Sequence, residues 1–259
     1  MKVLWDKRKL VLDLAKADFK KRFVGSYLGV FWIFVQPVVS IIIYYFIFQL
    51  GFKSNPQADV PYVVWLLPGI IPWFFFNEAV QNGTVSMINY QHLVKKMVFP
   101  IKIIPAIRIC ASLFIHFIFI AVMLVVILLF GIRPSVWWLQ YIYYMFCNLL
   151  LIMGIVYLLS ALNVFIKDVA QIVNIILQVG FWLAPIMYDP SIMPRGFQIV
   201  ISLNPFVYIV EGGRECFVDQ MGFWEKPLET LYFWVITLLL FVVGSKTFDK
   251  FEKHFVDVL

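Results

Sequence analysis

The feature that leaves this chain the fewest options is a succession of apolar blocks, each long enough to cross a lipid bilayer, at residues 29–50, 60–85, 103–130, 136–165, 169–188 and 228–244. A helix of about 20 apolar residues spans roughly 30 Å of hydrocarbon. In lipid only helices and closed barrels satisfy their own backbone polar groups. The blocks therefore predict an all-α integral membrane protein with about six transmembrane helices. Composition agrees: 63% of the residues are hydrophobic and 14% charged, against about 45–50% and 25% in a soluble domain. A soluble fold could not cover that much apolar surface. Residues 1–259 read as one transmembrane domain.

Lysine and arginine set the expected orientation. Eight lie in residues 1–28, four in 90–108, one at Lys167 and three beyond Gly244, against five in the alternate segments. Cytoplasmic flanks are enriched in these residues, so both termini are expected in the cytoplasm. The net charge of +6 is thereby explained without nucleic acid. The charged N-terminus lacks the apolar core of a cleavable signal peptide, and the first span is expected to direct insertion. Within residues 1–28, Val11, Leu12, Ala15, Phe19 and Phe23 fall on one helical arc, opposite Lys9, Asp13, Lys16 and Lys20. That pattern predicts an amphipathic helix along the inner membrane surface. Residues 189–227 carry Pro, Gly and charges between apolar runs too short to span, which predicts short or re-entrant helices before the last span.

Little in the chain suggests catalysis. His92, His116 and His254 are scattered, no paired carboxylates recur within a span, and there is no G-x-x-x-x-G-K-[ST] phosphate loop. Cys110, Cys147 and Cys216 have no metal-ligand spacing and read as small buried hydrophobes. Four features have two readings each. The turn from Asn89 to Pro100 allows a short basic helix stopped by proline; it is either an ordinary positive-inside loop or a knob pushed by a soluble partner. The amphipathic helix is either a membrane anchor or a partner-holding element. Glu78, beside Asn77, Gln81, Asn82 and Thr84, is either an interfacial carboxylate or the mark of a polar pathway. The 27 Phe, 12 Tyr and 9 Trp exceed the needs of interfacial belts and either pack the bundle or line a path along which sugar faces slide.

A resemblance narrows these choices. The runs Asp18-Phe19-Lys20-Lys21-Arg22-Phe23, Ser26-Tyr27-Leu28-Gly29-Val30-Phe31-Trp32 and Gln36-Pro37 resemble the N-terminal motif of one family. Leu93-Val94-Lys95-Lys96 through Phe99-Pro100 with Ile104-Pro105, then Lys167-Asp168-Val169, Ala184-Pro185-Ile186-Met187-Tyr188 and Asn204-Pro205-Phe206 with Arg214, continue it in order. The chain resembles the transmembrane subunit of ABC-2-type exporters of lipid-linked cell-surface polymers. Trp65-Leu66-Leu67-Pro68-Gly69, Trp73-Phe74-Phe75 and the closing Phe255-Val256-Asp257-Val258-Leu259 look most like the wall teichoic acid permeases; O-antigen, capsule and rhamnan exporters share much of the pattern.

The resemblance implies a channel-forming permease, not an enzyme, in the bacterial cytoplasmic membrane. It implies a homodimer with two copies of a separate ATPase subunit that holds ATP and Mg²⁺, this chain carrying no cofactor, and a polyprenyl diphosphate-linked polymer as substrate. On that reading residues 86–100 form the coupling helix, with Tyr90, His92, Leu93, Val94, Lys95, Lys96 and Phe99 against the ATPase. Lys20, Lys21 and Arg22 recruit the diphosphate. Phe31, Tyr44, Trp182 and Tyr188 line the pore, and residues 189–227, through Asn204, Pro205, Glu211 and Arg214, form an outer gate. A proton-driven transporter working through Glu78, and a membrane enzyme acting on lipid-linked sugars, are the other function classes the residues leave open.

Overall fold

The computed structural model describes residues 2–21, 27–51, 60–95 and 99–259, and among them there is no strand. After a helical turn at Lys2–Asp6, helix α1 runs over Arg8–Lys21. Its buried stripe is Val11, Ala15 and Asp18, one residue per turn on a single face. The stripe lies on Ile103, Ala106, Ile107 and Ala111. The amphipathic helix is present, but rotated from the expected arc: Leu12 is exposed, and a carboxylate occupies the buried face. Helix docking has overridden simple partition into lipid. Phe23 lies outside the described residues.

Helix α2, Trp32–Tyr44, continues as a π-helical segment, Tyr45–Gly51; none of its described residues is fully buried, and it meets the bundle through Phe34 against Phe119 and Tyr44 against Phe181. Helix α3, Tyr62–Thr84, is the centre of the bundle, most of its residues being buried. Helix α4 spans Ile103–Leu129; helix α5, Tyr141–Phe165, follows a 3₁₀ turn at Val136–Gln140. Helix α6 is Val169–Leu183, α7 is Arg195–Ser202, and α8, Phe206–Arg214, passes into a π-helical turn, Glu215–Asp219. Helix α9, Pro227–Phe251, closes the bundle.

Among the described residues, five helical stretches are long and apolar enough to cross a membrane. The block at 169–188 is not a full helical span: α6 ends at Leu183, about 22 Å long at 1.5 Å per residue. Pro185 disfavours helix at the residue before it, and residues 184–187 continue as buried non-helical chain.

Two close approaches define the packing. Where α5 crosses α9, a β-carbon on Gly244 would overlap the Gly154 carbonyl oxygen, so small residues let the two backbones meet. In α3, Pro72 has no N–H, which leaves the Pro68 carbonyl without its partner one turn on. Helix α8 packs there, where a β-carbon on Gly213 would sit 2.5 Å from that oxygen. The bundle thus has two ends. One carries the 86–95 turn, Lys102 and the end of α9, and is basic; the other carries the α7–α8 hairpin. At the basic end Lys102 Nζ meets Asp249 at 3.0 Å and Glu252 at 3.4 Å, tying the start of α4 to the end of α9.

Candidate functional site

Between α2, α3, α4 and α6 lies an open groove of about 780 Å³. Its walls are aromatic, with Trp32, Tyr44, Trp73, Phe74, Phe119, Phe181 and Trp182, and its polar side chains are Ser40, Asn77, Glu78, Gln81, Asn174 and Gln178. The zones follow the sequence. On α3, Trp73 and Phe74 precede Asn77 and Gln81 by one and two turns, and on α6, Asn174 and Gln178 precede Phe181 and Trp182. Helix α3 ends at the basic end and α6 begins there, so the amides of both helices lie toward that end and the aromatics toward the hairpin. Phe181 is 5.7 Å from Tyr44 and 5.6 Å from Trp73, ring centre to ring centre. Gln81 Nε2 donates to Asn77 Oδ1 at 3.0 Å, and Ser112 Oγ to Glu78 Oε1 at 3.1 Å. Of the residues expected along a pore, Tyr44 and Trp182 line this groove. Phe31 and Tyr188 do not: Phe31 is exposed, 59%, and the Tyr188 hydroxyl donates to the Trp182 carbonyl at 2.9 Å. Glu78 lines the groove as well.

At the basic end the segment expected to form one coupling helix is two short turns, Ser86–Asn89 and Gln91–Val94, broken at Tyr90. Tyr90 is the hinge of a buried polar node. Its hydroxyl donates to Asp18 Oδ1 at 2.8 Å; Arg108 Nη1 donates to Asp18 Oδ2 at 2.8 Å; and the guanidinium stands 5.0 Å from the Tyr90 ring centre. The node joins α1, the turn and the first two turns of α4. Val94 turns inward: it is 1% exposed and packs with Met87, Ile104, Tyr157 and Phe248, which makes it the anchor of the turn. Phe99 and Leu93 are half-buried, whereas Gln91, His92 and Lys95 are exposed, as are Lys20 and Lys21 nearby in sequence on α1. Lys96 and Arg22 lie outside the described residues.

At the other end Arg214 is 1% exposed. Its Nη1 meets Glu211 Oε1 at 2.7 Å, its Nη2 donates to the carbonyls of Pro185 and Ile186 at 2.7 and 2.8 Å, and its guanidinium lies 3.4 Å over the Trp65 ring. One side chain therefore fastens α8, α3 and the non-helical 184–187 strip. The Tyr62 hydroxyl adds a bond to the Met187 carbonyl at 2.8 Å. Asn204 Oδ1 accepts from the Phe206 N–H at 3.0 Å, an Asx turn that leads through Pro205 into α8. Asn204, Pro205, Glu211 and Arg214 thus all serve the hairpin.

Asp18, Arg108, Asn174 and Gln178 were not singled out from sequence. A signal for each pair existed: an acid three residues after Ala15 on the apolar arc of α1, and two amides four apart inside an apolar block.

Comparison with known proteins bears on the same residues. The family described as "ABC-2 type transporter" matches residues 10–218. An O-antigen export system permease protein, RfbA of Klebsiella pneumoniae, is 30% identical over 96% of this chain and 95% of its own. The protein of the same description from Myxococcus xanthus is 23% identical over 98% and 96%, and the polysialic acid transport protein KpsM of Escherichia coli is 24% identical over 91% of each chain. With a groove between its spanning helices, a polar node under its basic turn and this match along most of its length, the chain belongs to the ABC-2 type transporter family.

Proposed function

We propose that this chain is the permease half of an ATP-driven exporter of a polyprenyl diphosphate-linked surface polysaccharide in a bacterial cytoplasmic membrane, with the basic end and both termini in the cytoplasm. What carries the reading is the groove: a path walled by aromatics and amides can conduct a hydroxylated chain through a region where hydrocarbon leaves polar groups unsatisfied. Helix α2 forms one wall of that groove, and none of its described residues is fully buried by the rest of the chain. A second copy laid against this face would close two grooves into one conduit, while the lipid tail of the substrate stays in the bilayer.

Two copies of a separate ATPase would dock at the basic end, with Gln91, His92 and Lys95 facing them. Nucleotide binding would press the 86–95 turn, and the Asp18–Tyr90–Arg108 node would carry that push into α1 and α4 as rigid-body motion. Lys20 and Lys21 would draw the diphosphate to the cytoplasmic mouth, each basic residue near anionic groups contributing about 1 kcal/mol. At the far end the α7–α8 hairpin would close the exit, fastened by Arg214.

The exported polymer is either a polysaccharide of the O-antigen or capsule kind, supported by the relatives at 30% and 24% identity, or a wall teichoic acid, supported by motif likeness. Deleting the chain in its host should abolish the surface polymer and accumulate its lipid-linked precursor inside; an unchanged surface would refute the reading. Glu78 in the groove lends weight to a proton-driven alternative, which predicts that dissipating the proton gradient stops export while ATP remains.

A further inference from the structure

Four of the groove's polar side chains are carboxamides, two on α3 and two on α6. Asn77 and Gln81 are four residues apart on α3, and Asn174 and Gln178 four apart on α6, so each pair sits on one helix face with its members one turn, about 5.4 Å, apart. Asn174 and Gln178 are exposed and lie in the middle of an apolar helix. Polar side chains in membrane segments are kept where they face a bundle interior or a wet cavity, and an amide left in hydrocarbon without partners costs several kcal/mol. Asn77 and Gln81 share one hydrogen bond, so their remaining donors and acceptors, together with the exposed amides of Asn174 and Gln178, are the groups a ligand in the groove can meet.

Their chemistry selects the partner. A carboxamide offers an acceptor oxygen and two donor hydrogens, the complement of neighbouring hydroxyls on a sugar ring. The aromatic rings on the same helices offer flat apolar faces to the C–H side of such a ring. A phosphodiester asks for cations or clustered backbone N–H groups. The lining has no lysine, arginine or histidine among the described residues, and it includes the Glu78 carboxylate. We propose that Asn77, Gln81, Asn174 and Gln178 are a sugar-binding ladder that reads the hydroxyls of an uncharged glycan backbone, and that this ladder disfavours polyol-phosphate chains. The inference rests on the export reading for its biological meaning, and it names the polymer class that reading leaves open.

The full chain in lipid nanodiscs offers a direct assay, since Trp32, Trp73 and Trp182 line the groove and their fluorescence reports on its occupancy. Maltoheptaose is the uncharged probe and a glycerol phosphate heptamer the anionic one. Maltoheptaose should give a saturable change, weakened at least five-fold in an Asn174→Ala/Gln178→Ala variant and by less than two-fold when the amides are exchanged by Asn174→Gln/Gln178→Asn. The glycerol phosphate heptamer should give none. A saturable response to the anionic probe equal to or tighter than that of maltoheptaose, no response to either probe, or equal loss in both variants would overturn the ladder. Export in the host is scored separately. Surface polymer that persists without this chain defeats the export reading and leaves the binding result standing; failed sugar binding with intact export defeats the ladder alone.

Discussion

Replacing Asp18 tests the polar node under the 86–95 turn. Asp18 accepts hydrogen bonds from Tyr90 and Arg108, both at 2.8 Å, and removing one partner of a buried ion pair costs about 3–5 kcal/mol. The Arg108 and Asp18 side chains are 15% and 8% exposed, so solvent takes back part of that cost, and Arg108 keeps its place over the Tyr90 ring. Asp18→Ala should therefore loosen the junction by about 3 kcal/mol, roughly a 100-fold rise in local opening. Asp18→Asn retains an acceptor for Tyr90 and should cost about 1.5 kcal/mol, roughly ten-fold, in line with a single hydrogen bond to a charged group. Hydrogen exchange reads this directly, because the amides of Leu93, Val94 and Lys95 are held by bonds back to Tyr90 and Gln91, and exchange follows the local opening equilibrium. Exchange there should accelerate in the order Asn, then Ala, while amides in the middle of α3 stay as slow as before. Unchanged exchange at residues 93–95, or equal acceleration in α3, would refute the view that Asp18 is a local strut between the turn and the bundle.

Gly244→Val should fail to assemble a stable bundle, because its side chain would enter the Gly154 carbonyl at the α5–α9 crossing, a cost of about 3 kcal/mol at the upper end of overpacking; Gly196→Val, where nothing lies within 4 Å, should be neutral in the same detergent melt. Arg214→Lys keeps a charge but loses the planar guanidinium over Trp65 and two carbonyl contacts, so the fully buried Cys216 thiol should become reactive to maleimide, as peptide mass spectrometry would show. The hydrogen bond to Asp249, aided by Glu252, holds the Lys102 ammonium above the usual lysine value of 10.5. A raised folded-state value means the bridge contributes fully at neutral pH and is lost only as pH rises past that range, so the stability gap between wild type and Lys102→Met should be flat from about pH 7 to 9 and close in stronger base.

How much of this could be read from the chain differs by element. The long apolar blocks announced α2 to α5 and α9 because backbone satisfaction in lipid leaves few alternatives to a helix. Helix α6 stopped short for a reason also present in the sequence, Pro185. The amphipathic helix was legible, but the face it turns inward was not: periodicity gives the arc, and only the partner helix decides that Asp18 rather than Leu12 is covered. Val94 illustrates the same limit, since the sequence of a basic loop does not say which of its apolar residues turns into the core. Tyr44 and Trp182 lie on the groove and Phe31 and Tyr188 lie off it, because aromatic abundance does not say which rings helix rotation turns toward a cavity. Asn174 and Gln178 were visible as spacing, yet their meaning required α3 to bring Asn77 and Gln81 opposite them.

The most direct measurement is transport by the purified chain in sealed vesicles, with its lipid-linked polymer on the face where the 86–95 turn emerges. Polymer should cross only when an ATPase partner and ATP are supplied, and a hydrolysis-dead partner should stop it with the proton gradient intact. Movement driven by a proton gradient in vesicles holding this chain alone would contradict a permease worked by a separate ATPase.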